Sequence, residues 1–167
     1  MRLGTSSPLK HDSPEEWAEN HVKLGLRCVN FPLNCNDPED KITAYRDALI
    51  CADIGAKAII VSHHHGRIPY AVPPMMILPE IREALDGKDV KIIVDCGIES
   101  GADVYKAIAL GADAAAVGRS MLPYLEKDGA AGVEAYLTKV QNELRYIMSN
   151  TGFAKVSDID DSALWFN

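Results

Sequence analysis

The 167-residue sequence has no long hydrophobic run, because no apolar stretch approaches the ~20 residues that a membrane helix needs. Basic residues are also scarce: 17 lysines and arginines stand against 24 aspartates and glutamates, which gives a net charge of −7. The basic residues form no run and do not alternate with aromatic ones. Charge of this sign repels nucleic acid and anionic lipid, so we predict that neither is a partner.

Cysteine occurs only four times, and no two cysteines have the CxxC spacing of metal and redox sites. Cys51 and Cys96 lie in apolar stretches, which predicts that both are reduced thiols of the core. The N-terminal residues show no basic segment followed by an apolar one, so we expect no signal peptide. Together these features predict a cytoplasmic protein.

Helix and strand signals alternate along the chain. Apolar runs predict five strands, at residues 2–6, 26–33, 56–62, 90–94 and 113–117. Caps, prolines and apolar spacings of three and four residues predict helices at residues 14–24, 38–54, 73–85, 100–110 and 132–148. The tail from Gly152 is expected to be irregular, with one turn near Ser162.

Five βα units in strict alternation predict an α/β fold in which helices pack outside a parallel sheet. Continuously apolar strands such as Ile59–Val61 and Ile92–Val94 fit burial on both faces of that sheet. The arrangement is either an open doubly wound sheet or a partial (β/α)8 TIM barrel, since an ordinary closed barrel typically needs ~250 residues. We expect one α/β domain over residues 1–167.

Three of the predicted strands end in polar or glycine residues. The third runs into Ser62-His63-His64-His65-Gly66-Arg67, the fourth into Asp95-Cys96-Gly97 and the fifth into Gly118-Arg119. Because the carboxyl ends of parallel strands lie at one edge of a sheet, these residues are expected to form one shared site.

His64 and Arg67 are the candidate catalytic residues. A histidine titrates near neutrality and takes up a proton, and an arginine offers a planar fork that fits a carboxylate. The pair suits an acid that bears an α-hydroxyl group. The three histidines could instead form a polar loop or cap a strand. A metal site with Asp95 is a further alternative, but adjacent histidine side chains diverge, and we predict no metal.

Gly97 and Gly118 each lie between a predicted strand and the start of a helix. A glycine lets backbone N–H groups approach a phosphate, and a helix N-terminus favours an anion. Arg119 adds positive charge at the second of these loops. The two loops therefore predict a phosphate site, and the alternative is a pair of tight turns with a surface arginine.

From about Asp47 to its end, the chain resembles the FMN-dependent α-hydroxy-acid dehydrogenases and oxidases, the glycolate and lactate oxidase family. The matching segments, in chain order, are Ile60–Arg67, Leu78–Ile81, Val94–Ile98, Gly101–Ala112 and Val117–Arg119. They correspond to the last three βα units of that family's barrel.

The resemblance implies roles for individual residues. His64 resembles the catalytic base, which removes a proton as hydride or its equivalent passes to flavin N5. Arg67 is similar to the arginine that binds the substrate carboxylate, and Ser62 to a serine that approaches the flavin. The segments that hold the ribityl chain and phosphate of FMN correspond here to Asp95, Cys96, Gly97, Ile98, Glu99, Gly118 and Arg119.

The sequence departs from the family pattern at two of these positions. Cys96 replaces the first glycine of a pair that usually follows the aspartate, and Glu99 stands where many members carry a phosphate-binding arginine. A carboxylate at that place repels a phosphate unless its side chain turns away. Backbone amides and Arg119 are then expected to carry more of the phosphate binding.

The first 46 residues resemble a different family. Leu3–Leu9, Ser13–Ala18 and Val29–Leu33 are similar to the first two βα units of xylose-isomerase-like sugar phosphate isomerases and epimerases. The domain is thus expected to join an isomerase-like segment, residues 1–46, to a dehydrogenase-like segment, residues 47–167. The flavin family's earlier strands, with a lysine near flavin N1 and tyrosines that orient substrate, have no counterpart that we identify.

These observations predict FMN-dependent oxidation of a small (S)-2-hydroxy acid to a 2-oxo acid. The alternative is a catalytically incomplete partial barrel, a fragment or chimera that folds or forms homo-oligomers through open sheet edges without turnover. A remnant of a sugar phosphate isomerase is a third reading, although that family's metal-binding residues come from later strands that are absent here.

Overall fold

The computed structural model of the chain describes residues 4–5, 20, 23, 28–32, 47–63 and 72–165. In this part of the chain, five parallel strands form one sheet in sequential order. They are β1 (Gly4–Thr5), β2 (Cys28–Pro32), β3 (Ala58–Ser62), β4 (Lys91–Val94) and β5 (Ala114–Ala115). Each lies within a predicted strand, so the predicted parallel α/β sheet is confirmed. The connections after β1 and β2 fall mostly outside the described residues, and the number of complete βα units stays a prediction.

One described helix precedes β3, and one follows each of the strands β3, β4 and β5. They are α1, described over residues 47–53, α2 (Pro74–Ala84), α3 (Gly101–Ala109) and α4 (Leu122–Thr151). Short 3₁₀ turns cover Arg119–Met121, Val156–Asp158 and Asp161–Ala163. The predicted turn near Ser162 is confirmed. None of the described helices is both long and apolar enough to cross a membrane.

The last helix differs from its prediction, because it begins at Leu122 rather than at Gly132. Gly129 has φ 60° and ψ −138° in its interior, so two helical segments meet there at a break. Gly132 lies at the contact between them, where a Cβ would overlap the carbonyl group of Tyr124. In the sequence, these two glycines argue against a helix. In the structure, Gly129 allows the break and Gly132 allows the two segments to pack.

The core is a layer between the sheet and α2. Ile59 and Val61 of β3 and Ile92 and Val94 of β4 have no exposed surface. They cluster with buried side chains of α1, α2 and α3, among them Cys51, Ile77, Leu78, Ile81 and Ala107. The prediction of a core position is confirmed for Cys51, and burial, with Asp47 nearby, raises the pKa of its thiol to about 12.

Helices α3 and α4 pack more closely at Gly101 than a side chain at that position would allow. Gly101, the first residue of α3, lies so near α4 that a Cβ would overlap the backbone nitrogen of Leu144. The Gly101 N–H donates to Glu143 Oε2 at 2.8 Å. Further along, the Tyr105 hydroxyl donates to Thr151 Oγ1 at 3.0 Å. These contacts hold α4 in a fixed position beside the carboxyl ends of β4 and β5.

At the opposite end of these strands, Asp113 joins three elements. Its carboxylate accepts hydrogen bonds from the Ile92 N–H at 2.9 Å, from Lys91 Nζ at 2.9 Å and from the Arg82 guanidinium of α2. Partial burial raises the pKa of Asp113, but the bonds from Ile92, Lys91 and Arg82 outweigh it, and the pKa is lowered overall. The ionised carboxylate therefore stabilises the folded chain.

Asp113→Asn should lower the free energy of unfolding by about 0.5–1 kcal/mol at neutral pH, because an amide cannot replace a carboxylate toward two cations and solvent screens these exposed ion pairs. Since the folded pKa lies below the unfolded one, this contribution is present above the unfolded pKa and is lost as pH falls through the folded pKa. The stability difference between wild type and variant should shrink below about pH 4 in urea titrations. A difference that stays constant down to pH 3 would contradict the assignment.

Candidate functional site

The carboxyl ends of β3 and β4 bring three of the predicted site residues together. Ser62 ends β3 with no exposed surface, one residue beyond the pairing of Val61 with Val94. Its Oγ lies 3.4 Å from Cys96 Sγ. The Cys96 thiol donates to Asp95 Oδ1 at 2.7 Å. The expectation that these two strand ends share one edge is therefore met by Ser62, Asp95 and Cys96.

Cys96 is not a core residue, and that prediction is wrong. It is half-buried among polar groups at the point where the chain leaves β4. Its φ is +70°, and Gly97 follows with φ +81°. A left-handed conformation costs a residue with a Cβ roughly 1–2 kcal/mol, which is the physical reason for a glycine pair at such a turn.

Gly97, Gly118 and Arg119, which the sequence predicts to bind a phosphate, lie in the loops after β4 and β5, and we call these three residues the anion cradle after that prediction. A Cβ at either glycine would meet nothing within 4 Å, so both backbones face open space. Their N–H groups have no acceptor among the described residues. Arg119 is exposed and makes no ion pair in the same part of the chain. The two loops are adjacent, since Ser120 Oγ donates to the carbonyl oxygen of Ile98 at 3.3 Å.

The N-terminus of α3 differs from its expected role as an anion site. The N–H groups of Glu99 and Ser100 donate to Asp103 Oδ2 at 3.2 and 3.0 Å, and Ser100 Oγ accepts from the Asp103 N–H at 3.3 Å. Together with the Gly101 N–H on Glu143, three consecutive amides at the start of this helix, those of Glu99, Ser100 and Gly101, donate to carboxylates of the chain itself. Of the predicted phosphate-binding features, this leaves the anion cradle as the place for an external anion.

Sequence reasoning missed the roles of four residues at the carboxyl ends of these strands. The Ser100-x-x-Asp103 spacing is a capping box and could have been identified from the sequence. Ser120 and Tyr136 have no such signal, because their contacts depend on how α4 packs against the two loops. Ile98 is buried in the core, so its side chain points away from the cradle.

The two candidate catalytic residues, His64 and Arg67, lie outside the described residues, and their roles stay predictions. The described residue next to them is His63, which is half-buried directly after Ser62. Within the described ranges, no three His, Cys, Asp or Glu side chains lie close enough together to hold a metal ion.

Comparison with known proteins identifies the family. The family model of the FMN-dependent dehydrogenases matches residues 41–166. The chain is 41% identical over 129 residues to an L-lactate dehydrogenase of Xanthomonas oryzae pv. oryzae, which covers 77% of this chain and 31% of that protein. It is 42% identical over 114 residues to an L-lactate oxidase of Lactobacillus jensenii, which covers 68% of this chain and 28% of that protein.

The same relation holds in three dimensions. A mandelate oxidase variant with a C4a-OH-FMN adduct superposes with a TM-score of 0.76 and 32% identity, over 93% of this chain and 44% of that chain. The chain thus spans about a third of the length of the curated relatives that it matches. The match of the family model over most of the chain, together with these identities, shows that the protein belongs to the FMN-dependent dehydrogenase family.

Proposed function

We propose that the chain binds FMN and takes part in the oxidation of a small (S)-2-hydroxy acid to a 2-oxo acid. The observation that carries the proposal is the anion cradle, which lies at the same sheet edge as Ser62 and Asp95 in a chain of this family. The names of the relatives, L-lactate dehydrogenase and L-lactate oxidase, support a small hydroxy acid as the substrate.

The residues at this edge fit the polar end of FMN. The open backbones of Gly97 and Gly118 and the exposed guanidinium of Arg119 suit a phosphate. Asp95 and Cys96 are half-buried and offer carboxylate and thiol groups to the ribityl chain and the flavin, whereas Ser62 has no exposed surface and acts through its contact with Cys96 Sγ. Because its side chain is buried, Ile98 contributes only its backbone. Glu99 is exposed and adds negative charge beside the cradle, so it weakens the attraction for a phosphate.

The proposed chemistry follows from the residue types that come after the carboxyl end of β3. Bound FMN would supply the acceptor for the hydride equivalent that leaves the α-carbon. His64, two residues beyond the buried Ser62, removes the proton of the α-hydroxyl group. Arg67 binds the substrate carboxylate and thereby sets which face of the α-carbon is presented. The segment that follows β3 therefore both binds the substrate and accepts its proton.

The same proposal includes the domain plan. Five βα units form a single domain as a partial (β/α)8 barrel, in which residues 47–167 supply the dehydrogenase-like part and residues 1–46 the isomerase-like part. The start of the family match at residue 41 supports a boundary in this region.

A partial barrel without turnover is the second candidate function. It is favoured by the sheet order, in which β1 and β5 are the edge strands of the described sheet. Ile60 and Ile93, on the face of the sheet away from α2, are only half-buried. Such a face and such edges favour association with a second copy.

Arg119→Ala should weaken FMN binding about 10- to 100-fold, because it removes the one guanidinium of the cradle. The dissociation constant is measured by quenching of flavin fluorescence. Arg145→Ala, which removes an exposed arginine of α4 that bonds only Asn142 among the described residues, is the matched control and should leave affinity unchanged. Equal affinity of wild type and Arg119→Ala would exclude the phosphate assignment.

Glu99→Arg should tighten FMN binding about threefold to tenfold, because the exchange replaces a repulsive charge beside the phosphate with an attractive one. Glu134→Arg makes the same change of charge at an exposed position of α4 and serves as the control. Titrations at low and high salt test the cause, since the gain should diminish as salt screens the charges. A gain of the same size in the control would show that net charge alone is responsible.

Reconstituted protein should lose its flavin absorbance near 450 nm when L-lactate or glycolate is added without oxygen, and His64→Asn should slow this loss at least ~100-fold. The variant should still bind FMN with unchanged affinity, which separates catalysis from cofactor binding. FMN binding without any bleaching in the wild type would reject the proposed oxidation and favour the second candidate function.

A further inference from the structure

The hydroxyl of Tyr136 connects the two loops that form the anion cradle. Tyr136 lies in α4 and is 2% exposed. Its hydroxyl oxygen is 2.8 Å from Ser120 Oγ and 3.2 Å from the carbonyl oxygen of Glu99. Ser120 directly follows Arg119, and Glu99 lies two residues after Gly97. One buried phenol therefore contacts both the loop after β5 and the loop after β4.

The hydrogen bonds form a consistent chain of donors. The Tyr136 hydroxyl donates to Ser120 Oγ, and Ser120 donates in turn to the carbonyl oxygen of Ile98. The Glu99 carbonyl is a second acceptor within reach of the same phenol. Removal of the phenol oxygen leaves the Glu99 carbonyl without this donor and Ser120 Oγ with only its bond to Ile98, which favours a rearrangement of the loops.

The ring of Tyr136 is held independently of the loops. Its centroid lies 5.0 Å from that of Tyr124, with the ring planes inclined by 41°. Tyr124 belongs to the first segment of α4, which packs against Gly132 of the second. The second segment is joined to α3 through Glu143 and Gly101. The phenol oxygen is thus a fixed point to which both loops attach.

We propose that Tyr136 is a positioning residue for the phosphate of the flavin cofactor. It sets the spacing between Gly97 and Gly118-Arg119, so that amides from one loop and amide and guanidinium from the other reach the same anion. The residue touches no ligand and acts through Ser120 and the backbone of Glu99. The inference rests on the proposed binding of FMN and assigns a function to a side chain that the sequence did not single out.

The hydrogen bonds of Tyr136 are expected to affect the binding of one part of FMN only, its phosphate. Ser62 contacts Cys96, and Cys96 donates to Asp95. Among the described residues, the side-chain hydrogen bonds of Tyr136 and Ser120 go to Glu99, to Ile98 and to each other, and none reaches these three residues. Loss of the phenol oxygen should therefore weaken the hold on the phosphate and leave the hold on the flavin ring unchanged. Riboflavin, which lacks the phosphate, reports the second interaction without the first.

The test compares dissociation constants of FMN and riboflavin for the full chain and for Tyr136→Phe. We expect FMN binding to weaken about tenfold and riboflavin binding to stay the same. Tyr105→Phe is the matched control, since Tyr105 is also buried, and its hydroxyl bonds Thr151 between α3 and α4. That control should lower thermal stability to a similar degree and change neither dissociation constant.

Two results would overturn the inference while FMN binding itself stands. One is an equal loss of FMN and riboflavin affinity in Tyr136→Phe, and the other is no change in either affinity. If the wild type binds neither flavin, the proposed function fails and the inference with it. Should Tyr136→Phe not fold, Ser120→Ala removes the next group in the donor chain and makes the same distinction.

Discussion

The structure depends on the burial of one face of β3 and β4 beneath α2. Ile59 pairs with Ile92 and Val61 with Val94, and none of the four has exposed surface. Full burial of such side chains stabilises by about 1.5–3 kcal/mol each, so a slip of register by one residue is strongly disfavoured. The same register places Ser62 beside the turn that starts at Asp95 and thereby fixes the edge on which the candidate site lies.

The second constraint is electrostatic. The carboxylates of Asp103 and Glu143 lie at the N-terminus of α3, where they accept hydrogen bonds from the amides of Ser100 and Gly101 and complement the helix dipole. These hydrogen bonds stabilise the contact between α3 and α4 and occupy amides that an external phosphate would otherwise bind. An anion at this edge then depends on Arg119 and on the two glycine backbones, while Glu99 opposes it. The site is therefore more sensitive to the geometry of its loops than a site with two arginines.

Much of the fold could be predicted because its signals are local. Pro74 at the start of α2, Gly111 after α3 and the apolar runs of β3 and β4 each act within a few residues of themselves. The first segment of α4 could not be found in this way, because Gly129 and Gly132 are helix breakers in a sequence, whereas in the structure Gly129 forms the break within α4 and Gly132 the contact between its two segments.

The candidate site was predictable in its strand ends and less so in its details. Ser62, Asp95 and Cys96 meet as the parallel topology requires, but Cys96 was assigned to the core because its polar partners come from another strand and from an adjacent turn. Tyr136 reaches the two loops from a helix far along the chain, and no periodicity encodes that contact. His64 and Arg67 remain predictions that rest on the resemblance and on residue chemistry.

The most direct test of the account is the pattern of backbone amide shifts in ¹⁵N-resolved NMR spectra when FMN is added to the chain. The account predicts large shifts for the amides of Gly97, Gly118 and Arg119, and none of that size on addition of riboflavin. The amides of Ser100 and Gly101 should move little, because carboxylates of the chain already hold them. Large shifts at these two helix amides, with little change in the cradle, would contradict it.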